Sequence, residues 1–322
     1  MLYLRGIHDA RQLARFDARS WSGRRRRIAI DLIDDIDQLG DRKAREALFE
    51  RIVDARGAFK RTYRDRFAAF DALVLGCWRR VGLPTEGIRV LDAAVSDGST
   101  ALALIEAVAA LSGGRYEFTA TDLDGRYVTV WDEAAPERRV IVSEKGQTVQ
   151  IVLPPFLFTH RESRYLFPVN RALRPMAERF AGRLLERWRA GAPGVRSREL
   201  LLLAPEFRRL VERDGRISFR SWDILEPWSG AKATCVRAMN VLNPGYFDDA
   251  QMKAVLANLL DAVEDGGLLA VGSNDDAGTR VDGIVCRRRG RQVEVLARSG
   301  RGFRAPDAMA HLVWDSGSSV DG

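Results

Sequence analysis

Three short segments combine residue types that can together hold a nucleoside. The first is Val90-Leu-Asp92-Ala-Ala94-Val-Ser96-Asp-Gly98. An apolar strand that ends in small residues and turns into a helix lets a ligand approach the backbone, and the helix start offers free N–H donors. Asp92, Ala94, Ser96 and Gly98 are the candidates there. The second is Ala120-Thr-Asp122-Leu-Asp124, where the Asp122 carboxylate can accept both ribose hydroxyls. The third is Ser221-Trp222-Asp223, where Asp223 or its backbone can read an adenine edge and Trp222 can stack. The first turn lacks the GxGxxG glycine set of dinucleotide sites. Ala93-Ala94 leaves little room for a pyrophosphate, which favours a ligand without phosphates, S-adenosyl-L-methionine, over NAD.

The elements that must position these segments are strands alternating with helices from residue 87 onward, the pattern of an α/β sheet. Strands are expected at 88–92, 116–121, 217–222, 234–239 and 268–273, and helices at 98–111, 170–190 and 248–263. All three segments then lie at strand ends, where open α/β sheets bind ligands. Residues 125–168 interrupt the alternation with strands at 127–131, 138–142 and 148–153, turned at Glu144-Lys-Gly146. They read as an inserted β-hairpin or three-stranded meander. Segments 284–289 and 292–298 read as a terminal antiparallel hairpin. Residues 1–86 read as an N-terminal helical region. Ile28–Leu39 has near-helical apolar spacing, and a further helix is expected from Asp41. Phe59, Tyr63, Phe67, Phe70 and Val74 form one stripe on a long amphipathic helix over 58–81, read as packing surface. The expected organisation is 1–86 helical region, 87–315 Rossmann-like domain and 316–322 tail.

Composition narrows the classes. The chain has 322 residues with 30% charged and 46% hydrophobic, ordinary for a globular protein. Its formal net charge is +7, yet residues 1–30 alone hold eight arginines and two aspartates. From residue 31 the charges nearly balance and give no polyanion signal. The longest charge-free stretch, 146–160, contains Pro154-Pro155 and is too short to span a bilayer as a helix. No signal peptide is expected. Three scattered cysteines form neither a disulfide framework nor a CxxC pair, which points to a reducing cytoplasm. Three isolated histidines argue against a histidine-ligated metal, and no metal site is expected.

Several motifs resemble those of the chemotaxis receptor (protein-glutamate) methyltransferases. They are Phe219-Arg-Ser-Trp-Asp223-Ile-Leu, Ala238-Met-Asn240-Val-Leu242, Gly245-Tyr-Phe-Asp248 and Gly267-Leu-Leu-Ala-Val-Gly272-Ser. Upstream, Ala93 to Gly98 resembles the family's A-A-x-S-T-G turn, Ala120 to Asp124 its A-T-D-I-D, and Leu203 to Arg208 the segment before its third motif. The match covers about a third of the chain. It implies a class I methyltransferase sheet, S-adenosyl-L-methionine as cofactor and Asn240 at the active-site mouth. The sequence also departs from the pattern. The family's G-E-E-P-Y-S becomes Gly98-Ser-Thr-Ala-Leu-Ala, which removes a carboxylate expected near the cofactor. The family's Arg-Asn becomes Met239-Asn240, with Arg237 two residues earlier. Its I-Y-F becomes Asn243-Pro-Gly-Tyr246-Phe, two residues longer. Arg237 and Tyr246 are the candidates for the acceptor wall.

Methyl transfer from a sulfonium needs donor and acceptor held in line more than it needs a dedicated nucleophile. No catalytic residue is therefore assigned, and the methyl acceptor is open. A degenerate fold that binds cofactor or partner without turnover is the alternative, and a nucleotide-dependent oxidoreductase ranks below it. The basic segment Arg5–Arg27 suits an acidic protein or an anionic membrane surface, with nucleic acid ranked lower because the few aromatics there, Phe16 and Trp21, do not form a pattern that suggests base stacking.

Overall fold

The computed structural model describes residues 5–15, 27–39, 65–123, 125–159, 168–274, 280–290 and 292–302. The helix expected from Asp41, most of the basic arm, Asp124 and the 316–322 tail lie outside these residues, as does the start of the long amphipathic helix. In chain order the elements are α1 (Ala10–Ala14), a 3-10 turn (Ile30–Leu32), α2 (Ile33–Leu39), α3 (Ala68–Arg80), β1 (Ile88–Ala93), α4 (Ala101–Ser112), β2 (Tyr116–Asp122) and β3 (Arg126–Asp132). Then follow β4 (Arg139–Ser143), β5 (Thr148–Leu153), β6 (Phe156–Thr159), α5 (Pro168–Arg189), β7 (Val195–Leu201), α6 (Pro205–Arg213) and β8 (Ile217–Ser221). The last are β9 (Ala233–Met239), α7 (Asp249–Asp261), β10 (Val263–Asn274), β11 (Val281–Arg289) and β12 (Gln292–Ser299). They form two compact units, one of residues 1–62 and 124–202, the other of 63–123 and 203–322.

The second unit is a Rossmann-like α/β sheet. Its seven strands run β12-β11-β10-β9-β1-β2-β8. β8, β2, β1, β9 and β10 are parallel, and β11 and β12 add the expected antiparallel hairpin at one edge. β9 is buried along its whole length and β1 nearly so, which is why both read as apolar runs without alternation. β2 alternates instead: Tyr116, Phe118 and Ala120 are buried, while Glu117 is exposed and Thr119 half-buried. α4 buries Leu102, Leu104, Ile105 and Val108 and stops at Gly113, whose left-handed backbone (φ +56°) closes the helix. α7 begins with a capping box in which Asp248 and Gln251 satisfy each other's backbone N–H groups. Phe70 from the aromatic stripe on α3 lies over Gly283 of β11, where a Cβ would come within 2.7 Å of its ring.

The first unit is antiparallel, with strand order β6-β5-β4-β3-β7. Residues 125–159 therefore hold four strands, more than the hairpin or three-stranded meander expected over 125–168, and β7 adds a fifth from beyond α5. β6 follows the Pro154-Pro155 turn, and β7 returns after α5 to pair with β3 from Asp132↔Val195 to Arg126↔Leu201. β7 escapes sequence reading because Arg196 to Glu199 are all exposed, so it has no two-residue apolar period. α5 covers the sheet with Ala177, Ala181, Leu184 and Leu185. A second apolar cluster joins Ile7, Ile28, Ile30, Ile33 and Ile36 to Tyr127, Ile141, Val152 and Leu157. Gln150 ties this layer down: its Oε1 accepts the Ile30 N–H at 2.9 Å and its Nε2 donates to the Ile28 carbonyl at 3.2 Å. Residues expected to form one N-terminal helical region are thus divided. Those at 5–15 and 27–39 pack on the five-stranded sheet, and α3 packs in the seven-stranded unit. Each apolar run follows the face it can bury, not its neighbour in sequence.

Candidate functional site

In the seven-stranded sheet, β1 lies between β2 and β9, so the chain leaves β1 toward one side and returns as β9 on the other. The crevice beyond the carboxyl ends of such strands is where this sheet type takes its ligand. Four non-glycine residues among those described have a left-handed backbone, and three of them line these strand ends: Ala94 (φ +59°), Ser96 (φ +60°) and Asn240 (φ +59°). Gly98 joins them at φ +79°. A side chain in this conformation costs on the order of 1 kcal/mol or more, and persists only where surrounding bonds over-determine it.

Those bonds are present. The Val95 N–H donates to the Thr121 carbonyl at 3.0 Å, and the Ser96 N–H donates to Asp122 Oδ2 at 2.7 Å. Asp122 therefore bolts the turn after β1 to the end of β2. Across the crevice, the Asn240 N–H donates to the Gly272 carbonyl at 2.8 Å. Its side chain donates through Nδ2 to Asn274 Oδ1 at 3.0 Å and accepts the Asn274 N–H at 2.8 Å. Asn274 was not a candidate from sequence. It follows the last motif residue, Ser273, and only the parallel register of β9 and β10 brings it to Asn240. Ser96 Oγ is buried without a hydrogen-bond partner among the described residues. The structure thus gathers Ala94, Ser96, Asp122 and Asn240 along three adjacent strand ends.

Other candidates are committed elsewhere. Arg237, expected on the acceptor wall, is 1% exposed and spends all five of its N–H donors inside the unit. Nε and Nη2 bond the two Asp92 carboxylate oxygens at 2.9 and 2.5 Å. Nη1 bonds both oxygens of Asp71 at 2.8 and 2.7 Å, and Nη2 also donates to the Thr100 carbonyl at 3.2 Å. Asp92 is accordingly a buried partner of Arg237, with both carboxylate oxygens bonded to its guanidinium group. Burial pushes the Asp71 carboxyl above the usual carboxylate range, against the opposing pull of Arg237. For Arg237 burial opposes the charge, but the two carboxylates outweigh it and raise its pKa. Asp71 was invisible from sequence except as a lone acid within the apolar run of α3.

Trp222 is buried in the core, edge-on to Trp228 at 5.0 Å between ring centroids, with its indole N–H on the Glu226 carbonyl at 3.0 Å. Its ring offers no platform for adenine. Asp223 Oδ1 accepts the Leu225 N–H at 3.0 Å and shapes a turn. At Gly98 the Phe207 ring lies where a Cβ would stand, which by itself accounts for a glycine there. Asp97 accepts from Ser99 N–H and Oγ, both at 2.9 Å, which caps the approach to α4. Tyr246 sits half-buried in the Asn243–Phe247 turn and packs on the β9-β10-α7 core. The Cys235 thiol is pushed up to about 12 by burial, so it stays protonated and is no nucleophile.

No protein-family profile and no curated protein matches the chain. Among solved structures it is similar to the N-methyltransferase NodS of Bradyrhizobium japonicum WM9 in complex with S-adenosyl-l-homocysteine, at 14% identity and a TM-score of 0.30 over 66% of this chain and 65% of that one. It is also similar to an O-methyltransferase family protein of Burkholderia thailandensis, at 15% identity and 0.32 over 76% and 47%. A third is S-adenosylmethionine-bound CalS10, an amino pentose methyltransferase of Micromonospora echinaspora, at 12% and 0.32 over 78% and 83%. The chain thus spans less than two thirds of the first two. At such scores none carries its ligand or activity over to this chain.

Proposed function

We propose that this chain is an S-adenosylmethionine-dependent methyltransferase whose cofactor sits over the carboxyl ends of β1, β2 and β9. The observation that carries this reading is the strained turn pair at that crevice: Ala94 and Ser96 on one side, Asn240 on the other, all left-handed, with hydrogen bonds of Val95 and Ser96 fixing the first turn and those of Asn240 the second. Strain of this kind is kept where a site must be preorganised. The unpartnered Ser96 Oγ is a donor left for a ligand, so the residues present fit a nucleoside.

When bound, S-adenosylmethionine supplies an electrophilic methyl group. The chain's own work is to bind and orient. Asp122 holds the turn after β1 and borders the place of the ribose, Ser96 offers its hydroxyl, and the Asn240–Asn274 pair fixes the opposite wall. With no thiolate or acid–base set assembled there among the described residues, rate enhancement would come from holding the reactants in line. In this reading the seven-stranded unit is the catalytic domain, and Tyr246 remains the candidate for the acceptor side. The finer likeness to chemotaxis receptor methyltransferases rests on the order of the motifs from Ala93 to Ser273. A cytoplasmic setting rests on three buried free cysteines. The methyl acceptor is unassigned.

Titration calorimetry with S-adenosylmethionine, followed by tritiated-methyl transfer into fractionated extract, tests the proposal. Saturable binding with transfer is expected. Absence of binding would sink it, and binding without transfer would leave a cofactor-holding module.

A further inference from the structure

The outer face of α5 carries a row of arginines that no described residue neutralises. The helix has 22 residues and is about 33 Å long. Arg171, Arg179, Arg183 and Arg189 are all exposed. Among the described residues, none of the four guanidinium groups has an ion-pair or hydrogen-bond partner. The other two arginines named in pairs on the helix are Arg174, with Glu178 at 2.7 Å, and Arg187, with Asp132 at 2.5 Å. Glu186 lies on the exposed face, and among the described residues it has no ion pair. Guanidinium forks match phosphate oxygens better than lysine does.

A cleft opens along the flank of the same helix, between α5 and the β5-β6 edge. It holds about 200 Å³. Its floor is Ile151, Phe158, Ala181 and Leu185, and Thr148 and Thr159 add hydroxyls. The Arg174–Glu178 pair belongs to the lining and offers both a donor and an acceptor. A cavity of roughly 150 Å³ accepts benzene, so this one has room for a planar heteroaromatic ring. Gly182 also lines it, and a Cβ there would meet nothing within 4 Å.

We propose that the outer face of α5 and this cleft bind single-stranded nucleic acid, with phosphates on the arginine row and a base in the cleft. A basic face that can follow the phosphates, beside a ring-sized recess for a base, suits such ligands. An anionic membrane fits less well, because the apolar face of α5 is buried on its sheet and Met176, 57% exposed, is the large apolar side chain left outside. An acidic peptide would use the arginines but not the cleft. The proposal is independent of the cofactor reading, since it involves none of the residues at the β1-β2-β9 ends.

Anisotropy of a labelled 15-nucleotide oligouridylate with the full chain at 50 and 200 mM KCl tests it. Saturable binding is expected, weakened at least tenfold at 50 mM salt by the combined R171Q, R179Q, R183Q and R189Q changes. The slope of log affinity against log salt should fall by about 3, at roughly 0.7 for each phosphate no longer neutralised. Gly182→Leu, which projects into the cleft, should weaken binding several-fold with the slope unchanged. Circular dichroism checks that each variant folds, and R179Q/R183Q serves if the fourfold change does not. No binding by the wild type, equal binding by the arginine variants, or better competition from polyglutamate or phosphatidylserine vesicles than from unlabelled RNA would each overturn the proposal.

Discussion

Ser96 is the most informative side chain in the candidate site. Its N–H is held by Asp122, while its hydroxyl is buried and unused among the described residues. A buried donor without a partner lowers stability, by about 1–3 kcal/mol when no water reaches it. Ser96→Ala should therefore leave the free protein as stable or more stable in urea denaturation, yet bind S-adenosylmethionine several-fold more weakly by calorimetry. Unchanged affinity would remove the hydroxyl from the site. Ala94 gives a second test. At φ +59° it holds a conformation that glycine adopts freely. Ala94→Gly should be neutral or stabilising by up to about 1 kcal/mol, whereas Ala93→Gly, one residue earlier in extended β1, should destabilise by a similar amount. If both changes destabilise equally, the left-handed turn is not strained.

The turn after β1 owes its shape to its neighbours. Gly98 has a left-handed backbone and the Phe207 ring packs where a Cβ would stand. Gly98→Ala should destabilise by about 2 kcal/mol or more, combining overpacking with backbone strain. Adding Phe207→Leu should recover part of that loss, the packing part, in a double-mutant cycle. A purely additive pair would mean that the ring yields freely. Similar logic explains why some elements were legible and others not. β1, β9 and β10 are enclosed strands and read as apolar runs, and α7 announces its start with Asp248 and Gln251. β7 is held by its ladder to β3, not by an apolar face, so its residues carry no period to read.

The Asp71–Arg237–Asp92 cluster links α3, β1 and β9, and through the Thr100 carbonyl it reaches the start of α4. Its two carboxylates share one guanidinium, and burial raises the Asp71 pKa. The folded state then binds a proton more tightly than the unfolded chain. That contribution is fully present below the ordinary carboxylate pKa of about 4 and is lost as pH rises through the raised folded value. Asp71→Asn, which keeps an acceptor for Arg237, should flatten this fall in unfolding free energy across the acid-to-neutral range. A variant with the wild-type slope would show that Asp71 is ionised in the fold throughout. Strand ends, small turn residues and acids at those ends were readable from local order, because apolar period and turn chemistry act over a few residues. Whether a given acid faces the crevice or the interior was not. Asp92 and Asp122 look alike as strand-terminal aspartates, yet Asp92 meets Arg237, 145 residues away, while Asp122 meets Ser96. Trp222 likewise sits at a strand end and turns into the core. The charge balance after residue 31 concealed the arginine row of α5, because a sum over sequence cannot show which charges find partners. That sorting needs the chain folded, with α5 laid on its sheet and its remaining arginines turned outward.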